Sequence, residues 1–398
     1  MKHLLLGTVA ATALAGAAYA ASHTSEVKVG ILLGYTGPIE SLTPPMADSA
    51  ELALKEMNDS GMLPDGKMFV PVRADSTCVD AGAATAAAER LVTSDGVAAI
   101  MGADCSGVTG AVLANVAVPN GVTMISPSAT SPALSTAEDN GLFFRTSPSD
   151  ARQGAVLADI LASKGINEVA VTYTNNDYGK GLSDSFISNF EAAGGTVTLN
   201  APHEDGKADY SAEIGALASA GGEVLAVLGY ADQGGKGMIQ AALDSGAFDT
   251  FMMGDGMFAD SLMESLGADM TGSFGAVPWA EGDGTDAFNA IAEAAGVNFE
   301  SSFTRESYDA AALLGLAMVA SGEWTGSGIA GAVLDVANAP GEPILPGELG
   351  KAIEILKNGG EIDYVGATNV ELIGPGEAAG TYREYTVENG DYSTVMFR

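Results

Sequence analysis

The sequence predicts an α/β protein made of two doubly wound parallel-sheet lobes joined by a three-strand hinge. Three observations predict it. Short apolar strands alternate with helical patterns along most of the chain, the mark of parallel sheets covered by helices on both faces. The alternation runs for about five units up to residue 147, restarts, and runs for about five more. No short-period repeat is present, so two similar lobes rather than a solenoid account for the 398 residues. The chain is therefore divided into a leader, 1–20; a first lobe, 21–147 plus 279–365; and a second lobe, 148–278 plus 366–398.

The leader comes first. Met1-Lys2-His3 is basic, Leu4 to Ala17 is apolar and small, and Ala18-Tyr19-Ala20 has the A-x-A form of a cleavage site. This is the pattern of a secretory signal peptide; the alternative is a buried N-terminal helix. The longest later apolar run, Ala310 to Ala320, is too short to cross a bilayer. An exported, soluble, periplasmic protein is expected. Its charge is strongly negative, with 17 Lys and Arg against 51 Asp and Glu, a formal net charge of −34. Such a chain repels nucleic acid and anionic membrane surfaces, which excludes both as expected partners.

In the first half, Val27 to Leu33 is a strand and Pro44 to Asp59 a helix with Met46, Ala50, Ala53, Leu54 and Met57 on one face. Met68 to Ala74 is a strand, and Asp80 suits the cap of an Ala-rich helix. Val97 to Met101 is a strand that opens into Asp104, Cys105 and Ser106. A helical run from Gly107 stops at Pro119-Asn120-Gly121. Val122 to Ile125 is a strand ending in the polar loop Ser126 to Thr130. Loops of this kind lie at the carboxyl ends of parallel strands, where open α/β sheets bind ligands. Hydroxyls and free amides at a helix start suit a carboxylate. This stretch reads as one wall of an anion-binding cleft.

The second half repeats the pattern. Strands at Glu168 to Tyr173, Val224 to Leu228 and Phe251 to Met253 lead into loops carrying Tyr178, Tyr230 and Asp255. Asp255 lies between two glycines, which lets a ligand approach closely, and a carboxylate beside phenols suits an ammonium. Equally, Asp255 could close a turn while the tyrosines pack at the lobe edge; the pattern alone supports both. Past residue 280 the chain is helical, and from Ile362 it turns to β-like pieces. Crossings between lobes are expected near 147, 278 and 365.

Catalysis has little to stand on. After the leader only His23 and His203 occur, and His203 reads as a surface loop residue in Pro202-His203-Glu204-Asp205. No nucleophile elbow, zinc-protease helix, phosphate loop or full dinucleotide fingerprint is present. Glu281, Asp283 and Asp286 have the wrong spacing for a calcium loop. The expectation is no catalytic residue, no metal and no cofactor. Cys78 and Cys105 fall in loops after strands of the same half, so in an exported protein a bridge between them is expected, the alternative being two buried thiols.

These residues bring out a likeness. The chain resembles the leucine/isoleucine/valine-binding proteins, the receptors of branched-chain amino-acid ABC importers, which have the type I periplasmic-binding fold. The likeness rests jointly on Gly37-Pro38, Cys78 with Cys105-Ser106, Met124 to Thr130, Asp177-Tyr178-Gly179-Lys180-Gly181-Leu182, Gly229-Tyr230, and Phe251 to Gly256. It runs from Val27 to about Met318 and fades in the tail.

The resemblance implies that Ser106 and Thr130, with the backbone around Ala129, hold a ligand α-carboxylate, and that Ser128 belongs to the ligand-binding set. It implies that Tyr230 and Asp255 hold the α-ammonium, that Tyr178 closes over the ligand, and that Tyr35 lines the side-chain pocket. Asp255 stands where the family often has Glu, and the loop Ile39 to Pro45 departs from better-known members. The function so implied is capture of a small, mainly aliphatic amino acid by hinge closure, in a monomer that then docks on a membrane permease. Binding that changes little across neutral pH is expected from a carboxylate at the ammonium site. An amine-free carboxylate such as an aromatic acid, an amide, or a role as ligand sensor are the alternatives, with a secreted hydrolase the most remote.

Overall fold

A computed structural model describes residues 25–398; the leader lies outside the described residues. The first lobe is built from β1 (Ser25–Leu33), α1 (Thr43–Asp59), β2 (Lys67–Asp75), α2 (Ala81–Arg90), β3 (Ala99–Gly102), α3 (Ser106–Val112), β4 (Thr123–Ser126) and β5 (Phe143–Pro148). The second opens with α4 (Asp150–Lys164), β6 (Glu168–Thr174), α5 (Asp177–Ala192) and β7 (Thr196–His203). It continues through α6 (Ser211–Ala220), β8 (Val224–Leu228), α7 (Gly234–Ser245), β9 (Phe251–Met253), α8 (Asp260–Leu266) and β10 (Phe274–Pro278).

The two sheets share one order. In the first it is β2-β1-β3-β4-β5 and in the second β7-β6-β8-β9-β10, every neighbour parallel. Strands covered on both faces read as continuous apolar runs. Thus every residue of β3, β4 and β8 is buried. In each sheet the order reverses beside the first strand, at β1/β3 and β6/β8, and there the loops at the strands' carboxyl ends open into a crevice. The loops after β1, β3 and β4 face those after β6, β8 and β9.

Helices α9 (Asp283–Ala295), α10 (Thr304–Ser321), α11 (Ser327–Ala337) and α12 (Leu349–Lys357) return to the first lobe. Helix α10 is buried on every side, from Thr304 to Val319, because α1, α11 and α12 all pack against it. Asp283 and Asp286 sit in the first turn of α9, where carboxylates meet the positive end of the helix dipole. Among the described residues no three His, Cys, Asp or Glu side chains group as a metal site.

The chain crosses between sheets after β5 and after β10. The third crossing comes later than residue 365. After the small pair β11 (Glu342–Ile344) and β12 (Ile362–Tyr364), β13 (Leu372–Ile373) and β14 (Glu377–Ala378) extend the first sheet beyond β5. Only β15 (Tyr382–Glu388) and β16 (Asp391–Phe397) join the second, antiparallel beyond β10. Residues 366–378 therefore pair with the first sheet, held there by hydrogen bonds from Ala367 and Thr368 to the buried Asp309 carboxylate.

His203 is a correction. It is the last residue of β7 and is buried, not a surface loop residue, because parallel pairing with β6 continues to Thr174 opposite His203. Its Nδ1 meets the Thr172 hydroxyl at 2.8 Å, and burial holds the imidazole pKa down to about 4.

Candidate functional site

The first wall of the crevice is fixed by three loops tied together. Gly102, at the end of β3, has φ +125°, and a Cβ there would lie 2.2 Å from the carbonyl oxygen of Leu32. Only glycine lets β3 leave the sheet so close to β1. The Asp104 carboxylate that follows is buried. It accepts the Gly34 amide at 2.6 Å and the Ser76 hydroxyl at 2.7 Å, joining the loops after β1, β2 and β3. Burial pushes this carboxyl up, and the two hydrogen bonds oppose the shift. The disulfide Cys78–Cys105, with Cα atoms 5.1 Å apart, closes the same junction.

Ser106 starts α3, which continues through one π-turn to Asn120. The Ser106 hydroxyl accepts the Ser131 amide at 3.0 Å, and the Ser128 hydroxyl donates to the Asp104 carbonyl at 3.1 Å. Ala129 is engaged on both sides, its amide donating to Ser126 Oγ at 3.0 Å and its carbonyl accepting from Arg145 at 2.9 Å.

The second wall comes from β6, β8 and β9. Asn176 caps α5 through the Gly179 amide, which sets Tyr178 in the first helical turn. The Tyr178 and Tyr230 rings stack at 5.1 Å. The Tyr178 hydroxyl donates to Asp255 Oδ1 at 2.5 Å and accepts the Gly256 amide at 3.1 Å. A Cβ on Gly256 would lie 2.6 Å from the Gly229 carbonyl and 3.0 Å from that hydroxyl. Burial pushes the Asp255 carboxyl up to about 6, against the Tyr178 and Gly256 hydrogen bonds that hold it down. The expectation of a flat neutral-pH response assumed an ordinary carboxylate, and this shift brings its titration close to neutrality.

The two walls enclose a pocket of about 350 Å³, counting its open mouth. Five residues singled out from sequence reach it together: Ser106 and Ser128 from the first lobe, Tyr178, Tyr230 and Asp255 from the second. Ile39, Leu42 and Met46, with Phe303, supply an apolar side. Nothing in the sequence marks the loop Ile39 to Pro45 as pocket wall, and the helical spacing of Met46 is that of a core residue. Three residues stand apart from the pocket lining. The Tyr35 ring packs under the Arg73 guanidinium, 5.9 Å away. Ala129 is fully buried, and Thr130 is buried with its hydroxyl turned toward Asp150 without a hydrogen bond of good geometry.

The lobes also touch outside the pocket. The Asp232 amide donates to the Pro38 carbonyl at 3.0 Å, and its carboxylate accepts the Ser41 amide at 2.8 Å and the Ser261 hydroxyl at 2.6 Å. Asp232 thus clasps the loop after β1 to the second lobe.

Comparison with known proteins agrees with this geometry. Residues 26–346 match the family model described as periplasmic binding protein. A Leu/Ile/Val-binding protein homolog of Brucella melitensis is 31% identical over 236 residues, 59% of this chain and 62% of that relative, a little under two thirds of its length. The substrate-binding protein BasB of a chemotactic signal transduction system in Halobacterium salinarum is 30% identical over 366 residues, 87% of this chain and 83% of the relative. Among solved structures, the leucine binding protein LivK of Thermotoga maritima superposes with a TM-score of 0.77 at 22% identity, over 93% of this chain and 98% of that one. A solute binding protein from R. palustris, in complex with 4-hydroxybenzoate, does so with 0.75 at 17% identity, over 94% and 97%. With both sheets in the same order, three crossings and this family match, the chain belongs to the periplasmic binding protein family, as a member of its Leu/Ile/Val-binding type.

Proposed function

We propose that this protein is an exported, periplasmic receptor of an ABC importer that captures a small amino acid, branched-chain or aliphatic above all, by closing its lobes around it. The observation that carries the reading is the pocket itself. It sets the Ser106 hydroxyl at a helix start and the Ser128 hydroxyl of a loop on one wall, a buried carboxylate with two stacked phenols on the other, and an apolar side between them. A zwitterion with an alkyl side chain complements all three.

In this reading Ser106, Ser128 and Thr130, with the amides near Ala129, take the α-carboxylate. Asp255 and Tyr230 take the α-ammonium, and Tyr178 orients Asp255. Thr130 and the Ala129 amide reach the ligand only if the loop after β4 shifts on binding. Each lobe holds one end, so the ligand stabilises the closed pair over the open one. Closure excludes water and strengthens the charged hydrogen bonds. The lobes move as 25–148 with 279–380 against 149–278 with 381–398, and the closed monomer presents both to a membrane permease.

The relative from a chemotactic system supports a second reading, a sensor that passes the closed shape to a signalling partner. The same pocket serves both. The test is mass spectrometry of the compound that co-purifies with the native protein, followed by calorimetry with it. An aliphatic amino acid bound one to one supports the reading; an amine-free acid overturns the role of Asp255.

A further inference from the structure

At the first crossing between the lobes lies a second buried carboxylate, within reach of the charge of Asp255. Asp150 opens α4 and is fully buried; among the described residues neither of its oxygens has a hydrogen bond of good geometry, and only the Thr130 hydroxyl comes near enough to draw its carboxyl down. The groups around it lack partners too. The Thr130 hydroxyl faces it from the first lobe, and Gln153, one turn along α4, has a buried, unpartnered amide oxygen while its nitrogen donates to the Ala276 carbonyl at 3.1 Å and helps hold the Asp255 carboxyl down. Burial dominates the upward pull on the Asp150 carboxyl, and the charge of Asp255 adds to it.

No ion pair among the described residues includes either aspartate. Arg145 draws the Asp150 carboxyl down through its charge alone, because its guanidinium is spent on the Ala129 and Ser131 carbonyls, Ser135 and Glu377. The other groups facing the pair do not neutralise it: the phenols of Tyr178 and Tyr382 feel the charge of both carboxylates, those of Tyr230 and Tyr385 feel Asp255, and Arg152 is exposed. Two buried carboxylates that share no ion pair disfavour ionising together.

We propose that Asp150 and Asp255 work as one unit, which keeps a proton at Asp150 in the ligand-free protein and exchanges it for the ammonium of the ligand. The inference rests on the amino-acid reading of the pocket and deepens it. When the ammonium settles on Asp255, its charge replaces that of the proton. The O–H bond of Asp150 breaks, the proton leaves for solvent, and the ligand keeps its three N–H bonds. Asp150 is thus a positioning residue that also sets ligand class. An amine-free acid brings a negative charge to the pair and no cation to exchange, so the pocket rejects it.

Two measurements on the full mature chain test this at pH 7.5. Carbon-13 NMR of aspartate-labelled, ligand-free protein should show one carboxyl at the protonated position, absent from Asp150→Asn. Leucine should move that signal to the ionised position. Calorimetry in phosphate and in Tris should then show release of about one proton per leucine bound. Asp150→Asn should bind leucine within about tenfold of wild type and release none. The wild-type measurements stand alone if the variant does not fold.

An ionised signal in the ligand-free protein, or buffer-independent heats while leucine binds, would overturn the exchange. A protonated signal that no amino acid shifts would instead overturn the amino-acid reading, and the exchange with it.

Discussion

In the proposed reading Asp255 bears the heaviest single role. Replacing it with Ala leaves a pocket that can hold a carboxylate but no ammonium, and leucine affinity should fall at least about a hundredfold while circular dichroism stays unchanged. Undiminished affinity would remove the assignment. With the carboxyl near 6, protons compete with the ligand. From this group alone affinity should drop about tenfold between pH 7 and pH 5, and the Asp150 proton steepens the slope. A flat calorimetric profile would count against both.

At this scale the sequence was readable where residue type and loop position agree. Phenols and a Gly-flanked Asp at the ends of strands could be named in advance. Asp150 could not, because nothing in Ser149-Asp150-Ala151 distinguishes a buried carboxylate from an ordinary residue of a first helical turn. Tyr35 stands apart from the pocket lining for the opposite reason. It sits on the right loop, but the Arg73 guanidinium offers its ring a face outside the pocket.

At the level of elements, the loops after β2 and β3 are held by Cys78–Cys105, which closes a span of 27 residues. Cross-linking such a span removes roughly 3–4 kcal/mol of unfolded-state entropy in the chain-entropy model. Cys78→Ser should therefore melt well below the oxidised wild type, and the two should coincide once reductant is added; equal melting without reductant would contradict this. The close approach at Gly256 makes a second prediction. Gly256→Ala must push the Gly229 carbonyl and the Tyr178 hydroxyl apart, so binding should weaken more than melting temperature drops.

The alternating strands and helices were legible because strands buried on both faces are unbroken apolar runs. The ends were less so. β7 runs on to His203 through polar-looking residues because its pairing with β6, not its composition, extends it. β13 and β14 are two residues each, too short to carry any period, which is why the third crossing was placed about fifteen residues early.

For the whole molecule, several buried carboxyls share one direction of shift. Burial lifts Asp255 and Asp309 to about 6 and Glu306 to about 8, from unfolded values near 4. Between these limits the folded chain binds more protons than the unfolded one, so stability falls as pH rises. The net charge of −34 acts the same way through self-repulsion. The ligand-free protein should melt higher at pH 5.5 than at pH 8, and a melting temperature that rises with pH would contradict it. The Asp232 clasp also belongs to this scale. Asp232→Ala loses the bonds to Ser41 and Ser261, so closure should weaken and affinity fall by a few fold, with scattering showing a larger radius at subsaturating ligand.

In the proposed function the pocket selects a ligand carrying both a carboxylate and an ammonium. Calorimetry with leucine and with 4-methylpentanoate, its amine-free counterpart, tests it most directly. One-to-one binding of leucine and no measurable binding of the acid is the predicted result. Equal affinity for the two, or binding of the acid alone, would contradict it.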